Sequence, residues 1–237
     1  MKAMILAAGL GTRFKPWTDL HPKALALVNG RSLLERNLEY LRSFGIKDVI
    51  VNVHHFEEQI REAIIIHDGW GSNVTISDES DEVLETGGGL KKAAGYFDNG
   101  PFILMNADIL TNLDLHTMIE FHKEKKPLAT LAITNRLSSR YFLFDDGERL
   151  CGWRNTKTGE EKISIPGRKL YEKAFSGVHL ISPEIFSLMH QQGKFSIIDV
   201  YLELAYAHPI RGFDHSGSKL VDVGRTESVA EAEKLFP

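Results

Sequence analysis

Through the first half of the chain, short apolar runs alternate with stretches whose apolar residues recur every three to four positions. Ala3 to Ala8, Val49 to Val53, Phe102 to Met105 and Ala129 to Thr134 have strand length and the largely unbroken hydrophobicity of strands buried on both faces. Val74 to Ser77 is a shorter candidate. Helical patterns fall between them: from Ser32 through Leu34, Leu38 and Leu41, from Phe56 to Ile66, and from about Leu113 to Lys125. Ser32 and Glu35 have the spacing of a capping box, and Gly45 is placed to stop that first helix. Strands alternating with helices predict an α/β fold, a Rossmann-like, mostly parallel sheet with helices on both faces.

Beyond about residue 135 the rhythm changes. Tyr141 to Trp153 alternates around Asp145-Asp146-Gly147, a hairpin signal. Residues 155–173 are polar and carry Gly159, Pro166 and Gly167, which predicts a flexible insertion. Phe175 to Ile181 returns as a strand. Ser182-Pro183-Glu184 signals a helix start, Ser196 caps a helix to about Ala207, and Thr226 begins the last one. No repeat, linker or low-complexity stretch divides the chain. The expectation is one domain over 1–237, with a first half to about 135 and a small β-rich extension over 136–237.

Composition narrows the function classes. The 237 residues are 43% hydrophobic and 25% charged, ordinary values for a soluble globular protein. Net charge is −4, without a Lys/Arg run, which argues against binding nucleic acid through its phosphates. No apolar stretch reaches membrane-spanning length, and the N-terminal one is too short for a signal peptide. Cys151 is the only cysteine, so neither a disulfide framework nor a multi-cysteine zinc site is possible. These features lead to an expected cytoplasmic location. The ten histidines include no HExxH spacing, and His54-His55 reads as a strand end.

The candidate chemistry begins where the first strand ends. In open α/β sheets, ligands bind outside the carboxyl ends of the strands. Gly9 and Gly11 allow a sharp turn that brings backbone N–H groups close to phosphate oxygens, and Arg13 can add a forked cation. A lone Gly-x-Gly is equally an ordinary turn. Phe14 stands where a dinucleotide fingerprint needs glycine, and no Gly-Lys-Ser/Thr follows, so neither that motif nor a P-loop is present. The loop runs on to Pro22-Lys23, where a second cation can point back at the same phosphates.

Ala7-Ala8-Gly9-Leu10-Gly11-Thr12-Arg13, Pro16 and Pro22-Lys23-Ala24-Leu25 together resemble the signature of the sugar-1-phosphate nucleotidyltransferases at its spacing. The resemblance implies a nucleotide-binding first half and a sugar-binding second half. It implies that Ala8, Gly9, Gly11 and Thr12 hold the triphosphate, that Arg13 stabilises departing pyrophosphate, and that Lys23 contacts the phosphate under attack. It also makes Asp108, at the end of Phe102 to Asp108, and Asp222, in Leu220-Val221-Asp222-Val223-Gly224, ligands of a magnesium ion. Thr86, Gly87 and Gly88 would lie against the nucleobase, and Asn106 and Gly177 on the sugar side. Ile197-Ile198-Asp199-Val200 resembles the helix that follows the sugar-binding strand. Many members carry Glu-Lys-Pro in the sugar half; here Glu161-Lys162-Ile163 lacks the proline and reads as coincidence.

Thr86-Gly87-Gly88-Gly89 and the short length look most like the N-acetylmuramate-1-phosphate uridylyltransferases and related bacterial enzymes. UTP and N-acetylmuramate 1-phosphate are therefore the expected substrates, with glucose or mannose 1-phosphate next. A non-catalytic nucleotide-sensing domain and an enzyme with a non-sugar acceptor are the competing readings.

Overall fold

The computed structural model describes residues 1–97 and 100–237. In chain order its elements are β1 (Lys2–Leu6), β2 (Leu27–Val28), β3 (Arg31–Ser32), α1 (Leu33–Ser43), β4 (Asp48–Val53), α2 (Glu57–Ile66), β5 (Asn73–Asp78) and α3 (Glu85–Lys92). There follow β6 (Phe102–Asn106), β7 (Ile109–Thr111), α4 (Leu115–Lys125), β8 (Ala129–Thr134), β9 (Arg140–Phe144), β10 (Leu150–Asn155) and β11 (Glu161–Ile163). The chain closes with β12 (Tyr171–Ile181), α5 (Ile185–Leu188), α6 (Ile197–Leu204), β13 (Ile210–Asp214), β14 (Leu220–Asp222) and α7 (Val229–Leu235).

The apolar runs become the centre of one Rossmann-like sheet. Strands β5, β4, β1 and β6 lie side by side and parallel. Successive side chains of a strand point to opposite faces, and the core divides accordingly. Met4, Phe102 and Leu104 pack with Leu90, Val200 and Tyr201 under α3 and α6. Ala3, Ile5, Ile103 and Met105 pack with Leu34, Leu38, Ile60 and Met118 under α1, α2 and α4. The Ser32–Glu35 capping box forms, and Gly45 takes φ +77 beyond the end of α1.

The second half departs from the expected pattern in three ways. β8 does not continue the parallel set, because the 11-residue β12 enters antiparallel between β6 and β8. Strand β13 pairs parallel with β8, and its polar Ile-Arg-Gly-Phe-Asp sequence gave no signal. Part of 155–173 is regular structure: β11 pairs with β10, and Tyr171 to Lys173 pair with β9. All three residues of β11 are exposed, so no hydrophobic alternation marks it. The helix after Pro183 is a single turn, and Ser182 does not cap it. Its hydroxyl donates instead to the Pro127 carbonyl, beside His122.

Three buried histidines are held by hydroxyls: His122 by Thr130 and Ser182, His179 by Tyr201, and His215 by Ser176. Burial lowers their pKa to about 4, about 3 and about 4 respectively. Unfolded histidines titrate near 6.5, so between about pH 6.5 and 4 the unfolded chain takes up protons that the folded chain refuses. Stability should therefore be full above pH 6.5 and fall as pH drops through that window. Urea unfolding at pH 7.5, 6 and 5 checks this, and a flat profile would contradict it.

Candidate active site

The loop after β1 leaves the sheet at its carboxyl edge and opens a cleft of about 460 Å³. Gly11 takes φ +59, and a Cβ there would lie 2.9 Å from Thr18 and 3.1 Å from Lys23. The turn therefore requires glycine, and the Thr18 hydroxyl closes it by donating to the Gly11 carbonyl at 3.0 Å. The Ala7 amide donates to Asn52. Among the described residues, the amides of Ala8, Gly9, Leu10 and Gly11 donate to no protein group. Consecutive unengaged N–H groups in a left-handed turn are the geometry that receives phosphate oxygens. Lys23 reaches the same cleft, and Arg13 extends across to Gly224.

The two carboxylates are brought together by backbone pairing. Strands β7 and β14 form a two-stranded ladder with Asp222 opposite Ile109, and the Val223 amide donates to the Asp108 carbonyl at 2.8 Å. Asp108 is fixed further through Ala107, whose amide donates to Leu6 and whose carbonyl accepts from the buried Asn37 side chain at 2.8 Å. Lys23 Nζ donates to Asp108 Oδ2 at 2.5 Å. Asp222's carboxyl is pushed above its ordinary range, first by the protein packed round it and then by the charge on Asp108. Lys23, Arg136 and Arg13 pull it the other way. Since Asp222 also presents surface to solvent, the repulsion from Asp108 is the firmer cause. Among the described residues no group of three or more His, Cys, Asp or Glu could hold a metal. Two oxygen donors that repel each other suit a hard divalent cation completing its shell with phosphate and water.

The family model described as nucleotidyl transferase matches residues 2–145, which carry the loop, Lys23 and Asp108. The chain belongs to the nucleotidyl transferase family. This nucleotidyl transferase is 31% identical to the N-acetylmuramate α-1-phosphate uridylyltransferase of Caulobacter vibrioides over 86% of its own length and 84% of that enzyme's. It is also 31% identical to the UTP–glucose-1-phosphate uridylyltransferase of Synechocystis, over 78% of this chain, and spans only half of that longer protein. In fold it matches a putative glucose-1-phosphate thymidylyltransferase from Bacillus anthracis with a TM-score of 0.84, at 17% identity, over 99% of this chain and 94% of the other.

The residues singled out from sequence divide into groups. Ala8, Gly9, Gly11, Thr12, Arg13, Lys23, Thr86, Asn106 and Asp108 all line the cleft, and Asp222 lies beside its Gly224 wall. Gly87 and Gly88 do not line it. Both amides donate to the Phe195 carbonyl, at 2.9 and 3.3 Å, so neither is available to a base. A Cβ on Gly87 would lie 2.5 Å from the Phe195 ring, and one on Gly88 would strike the Gly193 carbonyl. These glycines seat α3 against the chain entering α6. Gly177, with φ +74, is likewise covered, since its Cβ would meet Ile109 at 2.7 Å and Asn106 at 3.0 Å. Lys162 pairs with Asp199 at 3.0 Å and does not line the cleft.

Sequence reasoning missed Asn52 and Glu79. Asn52 lines the cleft from within β4, accepting from the Ala7 amide at 2.7 Å and donating to Glu79 at 2.7 Å. The buried Glu79 carboxylate also accepts from the Leu84 amide, at the mouth of α3. One polar chain thus ties the loop after β1 to the segment bearing Thr86. Glu85 lines the cleft there in the left-handed region, φ +59, rare for a residue with a side chain. An asparagine inside the apolar run Val49 to Val53 was the available signal for Asn52.

Proposed function

We propose that this transferase moves a nucleotidyl group from a nucleoside triphosphate to a sugar 1-phosphate, releasing pyrophosphate, with UTP and N-acetylmuramate 1-phosphate as the preferred pair. The observation that carries the reading is one cleft lined by the unengaged amides of Ala8, Gly9 and Gly11 and by Asp108, with Asp222 beside its Gly224 wall. The names of the two curated relatives, both uridylyltransferases acting on sugar 1-phosphates, support the base and the acceptor class. A cytoplasmic location, compatible with the unpaired Cys151, completes the proposal. Among the described residues no helix is long and apolar enough to cross a membrane.

In this reading an oxygen of the sugar 1-phosphate attacks the α-phosphorus. The new P–O bond forms as the bond to the β-phosphate oxygen breaks, and pyrophosphate carries the electron pair away. The nucleophile is already an anion at neutral pH, so the protein's task is to align two anions and balance their charge. The Ala8–Gly11 amides hold the triphosphate, Arg13 balances charge on the departing pyrophosphate, and Lys23 turns from Asp108 to the phosphate under attack. Asp108 and Asp222 would hold Mg²⁺, which when bound supplies Lewis-acid polarisation of phosphate oxygens.

The test is a matrix of ATP, CTP, GTP and UTP against N-acetylmuramate, N-acetylglucosamine, glucose and mannose 1-phosphates, followed as pyrophosphate release. The expected maximum is UTP with an N-acetylated sugar. A clear preference for another nucleotide would overturn the uridylyl assignment.

A further inference from the structure

A second polar cluster lies at the edge where β8 and β13 end beside the first half of the antiparallel β12. Asp214 is in register with Ile133, and Ala174 with Thr134, so Thr134 on β8, Ser176 on β12 and His215 just after β13 come together. All three are buried. His215 Nε2 meets the Ser176 hydroxyl at 2.7 Å. Arg136, half-buried, donates one terminal N–H to the Phe175 carbonyl at 2.8 Å. Among the described residues, three buried polar atoms here have no hydrogen-bond partner: Thr134 Oγ1, Arg136 Nε and His215 Nδ1. Buried polar groups left unpaired in a native fold call for an explanation, and a bound polar ligand is one.

Arg136 is tied to the candidate active site by a short path. The carbonyl that holds it is two residues from Gly177, which packs on Asn106 and Ile109, and Ile109 is the ladder partner of Asp222. Its charge is felt at Asp222 alongside those of Lys23 and Arg13. Through the Phe175 carbonyl on β12, the strand paired with β6, Arg136 brings a further cation from the second half of the chain to the backbone that borders Asn106. Its loop is braced: Lys173 bridges Asn135 at 2.7 Å and Asp214 at 2.6 Å, and Ser216 holds the Asn135 amide at 3.0 Å. Lys162, the cation of the Glu161-Lys162-Ile163 stretch, is committed to Asp199.

We infer that Arg136 binds the phosphate of the acceptor, its guanidinium meeting the oxygens that Lys23 and the Ala8–Gly11 amides do not reach. The inference rests on the nucleotidyl-transfer reading above and names a residue that reading leaves unassigned. A guanidinium suits the role because its fork pairs with two oxygens at once, which an ammonium does not.

The test is calorimetric titration of N-acetylglucosamine 1-phosphate and N-acetylmuramate 1-phosphate into protein holding a non-hydrolysable UTP analogue with magnesium. Wild type, Arg136→Ala and Arg136→Lys are compared, with melting temperatures to establish folding. Arg136→Ala should weaken both sugar phosphates at least about tenfold, as loss of a charge-assisted bond does. Arg136→Lys should recover part of that loss, and affinity for the UTP analogue alone should stay within about twofold. Unchanged sugar-phosphate affinity in Arg136→Ala overturns the inference. So does a loss confined to N-acetylmuramate 1-phosphate, which would assign the cation to that sugar's carboxylate. Failure of the parent reading looks different, because wild type itself would then bind no sugar phosphate, and the inference would fall with it.

Discussion

Asp108→Ala should lower turnover by roughly 10²–10³, the loss seen when one preorganised charge-stabilising group is removed. The fold should survive. Asp108 lines the cleft, its backbone is held by Val223 and, through Ala107, by Leu6 and Asn37, and its removal relieves the repulsion that raises Asp222. The Lys23 pair is lost, and with side chains only 12% and 23% exposed its loss should cost about 1.5–3 kcal/mol, within the stability of an ordinary domain. Steady-state kinetics at saturating magnesium and urea unfolding separate the two effects. A readout free of turnover is also available: a cation that binds only the folded state raises its melting temperature. Magnesium should stabilise the wild type, and Asp108→Asn and Asp222→Asn should each reduce that shift. Near-wild-type turnover of Asp108→Ala would remove Asp108 from the chemistry.

The largest expected loss of stability comes from Gly89→Ala. A Cβ there would lie 2.5 Å from Glu79 Oε1 and 2.9 Å from Asn52 Nδ2, inside the polar chain that ties the loop after β1 to α3. Overpacking of a core costs about 1–3 kcal/mol. Breaking a buried hydrogen bond, with its groups left unsatisfied, adds about 1–3 kcal/mol. A combined loss of about 3 kcal/mol follows, measurable as a lower urea midpoint. Because Asn52 holds the Ala7 amide, affinity for the UTP analogue should fall in the surviving folded fraction. A variant with wild-type stability would show that the Glu79 carboxylate can move aside, and that the network does not position the loop.

The first half was legible because its physics is local. Apolar runs such as Phe102 to Met105 are strands whatever surrounds them, and Ser32 with Glu35 caps α1 through side chains three residues apart. The glycine turn after β1 and the strand-end position of Asp108 were equally readable, since Gly11 and the strand-end carboxylate are features of single segments. What was not legible depends on packing between distant segments. Nothing in the run from Gly87 to Gly89 announces that a Cβ at these positions would meet Phe195, Gly193 and Glu79. Gly177 has a similar origin, under Ile109 and Asn106. β11 and β13 form through pairing with neighbours whose location no short-range pattern encodes. Arg136 lacked any motif at all; its significance comes from the strand-end cluster and its charge on Asp222.

The central claim is that one cleft joins two phosphorylated substrates. The direct measurement is the stoichiometry of products from the wild-type protein with UTP, N-acetylmuramate 1-phosphate and magnesium, resolved by ³¹P NMR. One pyrophosphate should appear for each UDP-sugar, and neither should form when the sugar phosphate or magnesium is omitted. Pyrophosphate released without an acceptor, or no UDP-sugar with any sugar phosphate of the panel, would contradict the account.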